Sequence, residues 1–186
     1  LRFGHEPIHS AYYVTMADFV ACHKQSYIKD FDIVSEIKPG GTFLLNTTWK
    51  GAELEEHLPN KVKRTIAERG IKFYTIDATE IAAELGLGNR TNTVLQSAFF
   101  NLSGVLPAAD AIEYMKAAII KRYSKKGQKV VDMNCSAVDR GATAAVAIDV
   151  PASWKDLKDE VKVVDESLPY YIREIQIPVN NQAGDT

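Results

Sequence analysis

The most explicit catalytic pattern in the sequence is His5-Glu6-Pro7-Ile8-His9, which fits the His-Glu-x-x-His signature of zinc hydrolases. In that signature two imidazoles one helical turn apart hold zinc, and the glutamate acts as the base. The signature requires a regular helix, but Pro7 would interrupt it, Gly4 precedes it and a strand-like run begins at Ser10. We therefore interpret these histidines as residues of an exposed connector. The alternative, a zinc hydrolase, predicts stoichiometric zinc in the purified protein.

Polar residues follow three short apolar runs that are typical of buried parallel strands. They are Cys22-His23-Lys24, Asn46-Thr47-Thr48-Trp49 and Asp77-Ala78-Thr79. The ligand crevice of an open parallel sheet lies beyond the carboxyl ends of its strands, so this edge is the expected site. Asparagine and threonine side chains, with helix N-terminal amides, suit the phosphate or amide groups of a cofactor. The alternative is that Asn46-Thr47-Thr48 only caps a turn.

A glycine-rich turn, Gly86-Leu87-Gly88-Asn89-Arg90-Thr91-Asn92, joins two predicted helices. Its glycines permit a close approach to the backbone, Arg90 can make a forked contact with a phosphate, and Asn92 can cap the following helix. A phosphate-binding turn is one interpretation. The other is a structural helix hairpin, because the turn has neither the Rossmann glycine spacing nor a Walker lysine.

Other candidates for catalysis are sparse. Cys22 and Cys135 are far apart in the sequence and belong to no Cys-x-x-Cys pair. This predicts two buried thiols and gives no indication of a disulfide framework, a zinc site or an iron-sulfur site. The sequence contains no Gly-x-Ser-x-Gly nucleophile elbow. We therefore assign no catalytic residue and no metal ligand to this chain.

The amino-terminal half alternates between strand and helix patterns. Apolar and β-branched runs bounded by polar or glycine residues predict strands, and three- and four-residue apolar spacing predicts helices. After a strand-like run at 10–15, the predicted elements are, in order, a strand at 17–22, a helix at 27–37, a strand at 42–45, a helix at 54–69 interrupted near Pro59, and a strand at 71–76. This alternation indicates right-handed crossovers and a doubly wound, mostly parallel α/β sheet.

The carboxyl-terminal half is predicted to be helical as far as residue 148, with helices at 78–85, 93–105, 108–123 and 129–148. From Pro151 the periodicity fades, which predicts an extended tail. We therefore divide the chain into an α/β domain at 1–150 and an extended linker toward a neighbouring domain at 151–186. The sequence does not begin with Met and has no capping or strand signal before Phe3-Gly4, so we expect the domain to be incomplete at its amino terminus.

Composition narrows the class of protein. The 186 residues, 46% of them hydrophobic, are enough for one sizeable core. A formal net charge of −2 and the lack of a Lys/Arg-rich arm argue against nucleic acid as a partner. No apolar run approaches the roughly 20 residues that span a bilayer, and no signal-peptide core follows Leu1. The expectation is a cytoplasmic protein with no membrane partner.

Strings distributed along the whole chain, in order, resemble the gamma-type domain of pyruvate:ferredoxin (flavodoxin) oxidoreductases. Each string is short, but their sum is specific. They are Leu1-Arg2-Phe3-Gly4 with Pro7-Ile8, Ala17-Asp18-Phe19-Val20-Ala21-Cys22-His23, Gly40-Gly41-Thr42-Phe43-Leu44-Leu45-Asn46 with Trp49, His57-Leu58-Pro59, Phe73-Tyr74-Thr75-Ile76-Asp77-Ala78, Gly86-Leu87-Gly88-Asn89-Arg90 through Ala98-Phe99-Phe100, Gly104-Val105-Leu106-Pro107, Lys125-Lys126-Gly127, and Met133-Asn134 with Ala137-Val138-Asp139.

The resemblance implies an enzyme that decarboxylates pyruvate on thiamine diphosphate, passes single electrons through [4Fe-4S] clusters to ferredoxin or flavodoxin, and releases acetyl-CoA. In that family, thiamine diphosphate with its Mg²⁺ and the clusters are held by other domains, and the gamma domain is associated with coenzyme A. The family's glycine-rich phosphate loop lies upstream of the Arg-Phe-Gly motif and therefore before Leu1. The chain by itself is expected to be inactive and to carry a partial coenzyme A site.

The resemblance and the positions of the residues together favour Arg90 and Asn92 for contacts with coenzyme A, with Asn46, Thr47 and Arg2 behind them. The expected partners are the other domains or subunits of the same oxidoreductase, which is expected to be a homodimer, and ferredoxin or flavodoxin through the complete enzyme. Two alternatives keep the same fold. One is a separate gamma subunit of another 2-oxoacid:ferredoxin oxidoreductase, and the other is a non-catalytic interaction module.

Overall fold

The computed structural model describes residues 7, 9, 14–159 and 167–180, which build a four-stranded sheet with helices on both faces. Two 3₁₀ turns, Ser124–Lys126 and Ala152–Asp156, and a π-helical turn, Ile172–Gln176, complete the regular structure of these residues. The strands and helices in chain order are β1 (Ala17–Cys22), α1 (Tyr27–Asp30), β2 (Ile37–Asn46), α2 (Ala52–His57), α3 (Asn60–Glu68), β3 (Lys72–Ile76), α4 (Ala78–Glu84), α5 (Asn92–Ser103), α6 (Ala108–Tyr123), α7 (Gln128–Thr143), β4 (Val146–Ala147) and α8 (Ile177–Asn180).

The sheet has the order β1-β2-β3-β4, and its first three strands are parallel. The predicted mostly parallel α/β sheet is therefore confirmed. The short strand β4 runs antiparallel to β3, with Thr75 opposite Val146 and Tyr74 opposite Ala147. Its residues fall inside the helix predicted at 129–148, but α7 ends at Thr143 and the chain then returns to the sheet edge.

Alternation along β2 distributes the core to the two faces of the sheet. Phe43 and Leu45 pack with α1, α2 and α3 on one face, whereas Leu44 packs with α4, α5 and α7 on the other. All three side chains are fully buried. Successive residues of a strand point to opposite faces, so an uninterrupted apolar run is what a strand covered on both sides requires.

The predicted helix at 27–37 is wrong beyond its first turn, because α1 ends at Asp30. Its later apolar residues, Val34 and Ile37, are fully buried from a loop and from the start of β2 instead. The Arg69 guanidinium holds this loop by donating hydrogen bonds to the carbonyl oxygens of Ser35 at 2.6 Å and Ile37 at 2.8 Å. The burial of these apolar side chains, together with the Arg69 hydrogen bonds, therefore outweighs the helical preference indicated by their spacing in the sequence.

Strand β2 also begins earlier than the strand predicted at 42–45, since it starts at Ile37 and includes the Lys38-Pro39-Gly40-Gly41 segment. The pairing with β1 is irregular between Ala17 and Phe19, and this irregularity accommodates Pro39. A Cβ atom on Gly41 would lie 3.1 Å from the carbonyl oxygen of Asp18 on β1. Glycine at this position therefore permits the close approach of the two strands.

The segment after residue 150 contacts the domain instead of leaving it. Trp154 is 4% exposed and packs in the core cluster between the sheet and α3, and its indole Nε1 donates to Glu55 at 3.2 Å. Arg64 on α3 donates to the carbonyl oxygen of Leu157 at 2.9 Å and binds the Asp159 carboxylate at 2.7 Å. Residues 152–159, which follow the predicted boundary at 150, therefore contact the domain.

The structure also differs from the predicted extended tail farther along, because Ile172–Gln176 and Ile177–Asn180 form helical turns. Arg2, His5 and residues 10–13 of the strand-like run lie outside the described residues, and residues 14–15 are not part of a strand. Within the described ranges, none of the helices is both long and apolar enough to cross a membrane.

Helices α5 and α7 cross at backbone contact distance. A Cβ atom on Gly141 of α7 would lie 2.4 Å from the carbonyl oxygen of Val94 and 3.0 Å from Cβ of Ser97, both on α5. The Ser97 hydroxyl donates a 2.6 Å hydrogen bond to the carbonyl oxygen of Val138, one turn before Gly141. This crossing fixes α5, whose amino terminus follows the glycine-rich turn.

We expect Gly141→Ala to lower the free energy of unfolding by about 1–3 kcal/mol, because the added methyl must displace backbone atoms of α5. The sign is diagnostic, since glycine to alanine in an unconstrained helix interior is stabilising by up to about 1 kcal/mol. Urea unfolding followed by circular dichroism measures the change. Thr143→Ala, an exposed change on the same helix, is the control and should stay within about 0.5 kcal/mol of the parent; a stabilised Gly141→Ala protein contradicts the close crossing.

A second pair of variants tests the assignment of residues 152–159 to the domain. Trp154→Ala should cost about 3–5 kcal/mol, as expected for removing a buried aromatic side chain. Tyr171→Ala removes an aromatic side chain that is 62% exposed and should change the stability by less than about 0.5 kcal/mol. Equal effects of the two substitutions, measured by the same unfolding experiment, would show that Trp154 does not belong to the core.

Candidate functional site

A polar crevice of about 380 Å³ lies beyond the carboxyl ends of β1 and β2, against the start of α4 and the turn that precedes α5. Its position is the one expected for a parallel sheet. Two of the three predicted segments contribute most of the lining, and Thr79 comes from the third. The lining residues are His23, Lys24, Gln25, Asn46, Thr47, Thr48, Thr79, Asn89 and Thr91.

Asn46, at the end of β2, connects the segments that build this crevice. Its Nδ2 donates to the carbonyl oxygen of His23 at 3.0 Å, and its Oδ1 accepts from the backbone amide of Ala78 at 2.9 Å. One buried amide thus joins the loop after β1, the end of β2 and the first residue of α4. Its two polar atoms each have a protein partner, so Asn46 serves chiefly to position the crevice.

Thr47 is also buried and fully hydrogen-bonded. Its hydroxyl donates to Oε1 of Gln25 at 2.7 Å and accepts from the backbone amide of Trp49 at 3.1 Å. The structure therefore gives Asn46 and Thr47 part of the role that the alternative interpretation assigned to them, which is to shape a turn. They line the crevice, but their side-chain polar atoms are already engaged.

Gln25 was not identified from the sequence, although it lies at the centre of the crevice wall. Its Oε1 accepts from the Thr47 hydroxyl, from the backbone amide of Thr48 at 3.0 Å and from the Thr48 hydroxyl at 3.4 Å. A signal was available, since Gln25 follows Cys22-His23-Lys24 at the end of a predicted strand. Its partners lie more than 20 residues away, so only the folded chain shows what it binds.

The glycine-rich turn reaches the same crevice through Asn89 and Thr91. Gly86 and Gly88 have φ values of 72° and 60°, a left-handed conformation that favours glycine. Arg90 is exposed between the two lining residues, and its Nε donates to the carbonyl oxygen of Leu87 at 3.1 Å. Its two terminal nitrogens make no hydrogen bond to the described residues and remain available to a ligand.

Asn92 lies on a different surface. It is the first residue of α5, and Thr91 occupies the N-cap position without a side-chain capping bond, so the predicted cap by Asn92 is wrong. Asn92 lines a separate groove of about 380 Å³ between α5 and α6, together with Phe100, Tyr114 and Met115. The structure therefore brings Asn46 and Thr47 together in the crevice, places Arg90 beside it and directs Asn92 elsewhere.

The crevice lining carries positive charge and no negative charge. Lys24 and His23 are exposed in its lining, and no aspartate or glutamate is among the lining residues. The nearby acidic residues Asp77 and Glu80 line another cavity, of about 410 Å³, and Lys50 lies 3.5 Å from the Glu80 carboxylate there. Hydroxyl, amide and cationic groups without a carboxylate favour an anionic ligand such as a phosphate.

Cys22 is the last residue of β1 and immediately precedes the crevice residues His23 and Lys24, but it is unsuited to nucleophilic chemistry. Burial raises the pKa of its thiol, which keeps it protonated, and the thiolate is the reactive form. The whole sequence holds two cysteines, whereas a [4Fe-4S] cluster takes four thiolates. Over residues 14–159 and 167–180 no three histidine, cysteine, aspartate or glutamate side chains converge as a metal site would require.

Comparison with known proteins identifies relatives along the whole chain. A pyruvate-flavodoxin oxidoreductase of Enterobacter agglomerans is 50% identical over 186 residues, and a pyruvate:ferredoxin oxidoreductase of Moorella thermoacetica is 47% identical over 185 residues. Each alignment covers 100% of this chain and 16% of the relative. The chain therefore spans about one sixth of the length of these enzymes.

A solved structure supports the fold. The crystal structure of pyruvate oxidoreductase subunit PORC from Thermotoga maritima superposes with a TM-score of 0.56 at 24% identity, covering 73% of this chain and 67% of that one. The sequence pattern of the family described as pyruvate ferredoxin/flavodoxin oxidoreductase matches residues 1–144. That match includes all three parallel strands and the whole crevice, and the chain belongs to the pyruvate ferredoxin/flavodoxin oxidoreductase family.

Proposed function

We propose that this chain is the coenzyme A-associated domain of an enzyme that converts pyruvate to acetyl-CoA and CO₂ while reducing ferredoxin or flavodoxin. The observation that carries the proposal is the crevice at the carboxyl edge of the sheet, which has cationic, hydroxyl and amide groups and no carboxylate in its lining. Coenzyme A bears a diphosphate and a further phosphate, and such groups bind where several donors converge. The domain therefore contributes binding and orientation.

The groups that perform the chemistry belong to other parts of the enzyme. Thiamine diphosphate with Mg²⁺ supplies the decarboxylation and [4Fe-4S] clusters supply the path for electrons when they are bound. This chain has too few cysteines for a cluster, and its one cysteine near the crevice is buried and protonated. Its expected partners are accordingly the remaining domains or subunits of the same homodimeric enzyme.

The choice of electron carrier is also made elsewhere. The two relatives are named for different carriers, flavodoxin and ferredoxin, yet they match this chain almost equally, at 50% and 47% identity. If this domain selected the carrier, it would be expected to match the enzymes of one carrier clearly better than those of the other. The role that fits both relatives is a step common to them, and binding of coenzyme A is such a step.

Arg90 is the best-placed residue for a phosphate outside the crevice wall. The turn brings it between two lining residues, it is exposed, and only its Nε is used by the described protein residues. The guanidinium fork matches a phosphate in a bidentate arrangement. Lys24 lies among the crevice residues contributed by the loop after β1, so the two cations can act on different phosphates of one ligand.

In the complete enzyme, Arg90→Ala should raise the KM for coenzyme A roughly tenfold or more and leave the release of CO₂ from pyruvate unchanged. The loss of one charge-assisted phosphate contact explains the direction. Steady-state kinetics with coenzyme A as the varied substrate, together with single-turnover CO₂ release, provide the measurement.

Arg140→Ala is the matched control, because Arg140 is an exposed arginine on α7 that pairs with Glu84 at 2.8 Å, outside the crevice lining. Its KM for coenzyme A should equal that of the parent enzyme. If Arg90→Ala also leaves this KM unchanged, Arg90 is not part of the site. If Lys24→Ala is equally without effect, the assignment of coenzyme A to this crevice fails.

A further inference from the structure

The wall of the crevice contains a glutamine where the local hydrogen bonds would suit a carboxylate. Three donors, the Thr47 hydroxyl, the Thr48 amide and the Thr48 hydroxyl, converge on Oε1 of Gln25 at 2.7, 3.0 and 3.4 Å. The Thr48 backbone amide fixes the orientation of the Gln25 side-chain amide, because a backbone N–H can only donate and the opposite flip would place Nε2 against it. Nε2 of Gln25 therefore points away from these donors and makes no hydrogen bond to the described residues.

A glutamate at this position would accept the same three hydrogen bonds, and charged acceptors form the stronger ones. Glutamate at this position is therefore expected to stabilise the fold at least as well as glutamine does. It would also place a negative charge beside Lys24 in a crevice that has no carboxylate in its lining. The neutral amide of glutamine accepts the same three hydrogen bonds and adds an N–H donor on the side of the crevice. It also places no negative charge beside the Lys24 ammonium, which therefore keeps its full attraction for an anion.

We infer that Gln25 determines the anion specificity of this crevice, and that Gln25 Nε2 and Lys24 together hold a diphosphate group. The inference rests on the proposed function for the source of that group, which is the diphosphate of coenzyme A. Gln25 has two separable roles: its oxygen positions the loop after β2, and its nitrogen, with the neutral charge of the side chain, admits the anion. Neither role depends on Arg90.

The test uses the complete enzyme, with its thiamine diphosphate bound, and inorganic pyrophosphate as the probe. Binding is measured by isothermal titration calorimetry at pH 7.5 and stability by thermal unfolding. Gln25→Glu should weaken pyrophosphate binding at least tenfold while leaving the melting temperature unchanged or higher. Gln25→Ala should lower the melting temperature, because the Thr47 and Thr48 donors lose their acceptor. A purely structural role would not weaken binding in a variant whose stability is intact.

Gln96→Glu is the matched control. Gln96 is an exposed residue of α5 that lines the α5–α6 groove, so the same change of charge is made outside the crevice. Pyrophosphate binding should be the same as in the parent enzyme. The inference is overturned if Gln25→Glu binds pyrophosphate as the parent does, if Gln96→Glu loses binding equally, or if the parent enzyme binds no pyrophosphate at millimolar concentrations.

Competition identifies the source of the diphosphate and separates this inference from the proposed function. Displacement of pyrophosphate by coenzyme A, and not by thiamine diphosphate, supports both. Displacement by thiamine diphosphate alone leaves Gln25 as the determinant of an anion site and rejects the assignment of this site to coenzyme A. The assignment to coenzyme A would likewise be rejected, and the anion site kept, if the Arg90 and Lys24 variants had an unchanged KM for coenzyme A while pyrophosphate binding still depended on Gln25.

Discussion

The crevice depends on the side-chain amide of Asn46. Parallel strands leave their carboxyl ends unpaired at one edge, and the loops that follow them have no ladder to fix their positions. Asn46 joins two of these loops by one donated and one accepted hydrogen bond, to the carbonyl oxygen of His23 and the amide of Ala78. The amide is buried, and an unsatisfied polar group there would cost about 1–3 kcal/mol, so both loops are held where Asn46 needs them. The positions of Lys24, Gln25 and Thr79 follow from this constraint.

Framework residues and candidate ligand-binding residues have similar side chains at this edge but differ in the partners that their polar atoms already have. Asn46 and Thr47 have protein partners for each polar atom of the side chain, whereas Lys24 and the Nε2 atom of Gln25 have none among the described residues. A polar residue with satisfied hydrogen bonds contributes shape, and a polar residue with a free donor contributes affinity. This distinction separates the residues at the crevice more clearly than their position along the strands does.

The fold was largely predictable because its signals are local. Apolar runs at 17–22 and 71–76 and the helix at 108–123 follow from residue types within a few positions, and the structure has these elements with bounds that agree within one residue.

The segments that were predicted wrongly depend on contacts between residues far apart in the sequence. Val34 and Ile37 leave the helical pattern because Arg69 holds the carbonyl oxygens of their loop, and β4 exists because β3 offers an unpaired edge. The location of the site was predictable from the sheet topology, but Gln25 was not, because its acceptor role depends on residues more than 20 positions away.

The division of the helices into two groups explains how a binding edge can be maintained in a domain of this size. On one face, α3 and the segment around Trp154 close the core, and neither contributes a residue to the crevice lining. On the other face, the tight crossing of α5 and α7 at Gly141 fixes the position of α5. Because α5 directly follows the glycine-rich turn, this crossing also constrains the end of the turn that carries the crevice residues Asn89 and Thr91. Apolar and backbone groups behind the sheet support the helices and the buried amide of Asn46 positions the loops, so the edge itself can carry exposed cations and amides. Such an arrangement suits a domain that presents a flexible, phosphate-bearing substrate to chemistry performed elsewhere, because the binding groups are fixed before the ligand arrives.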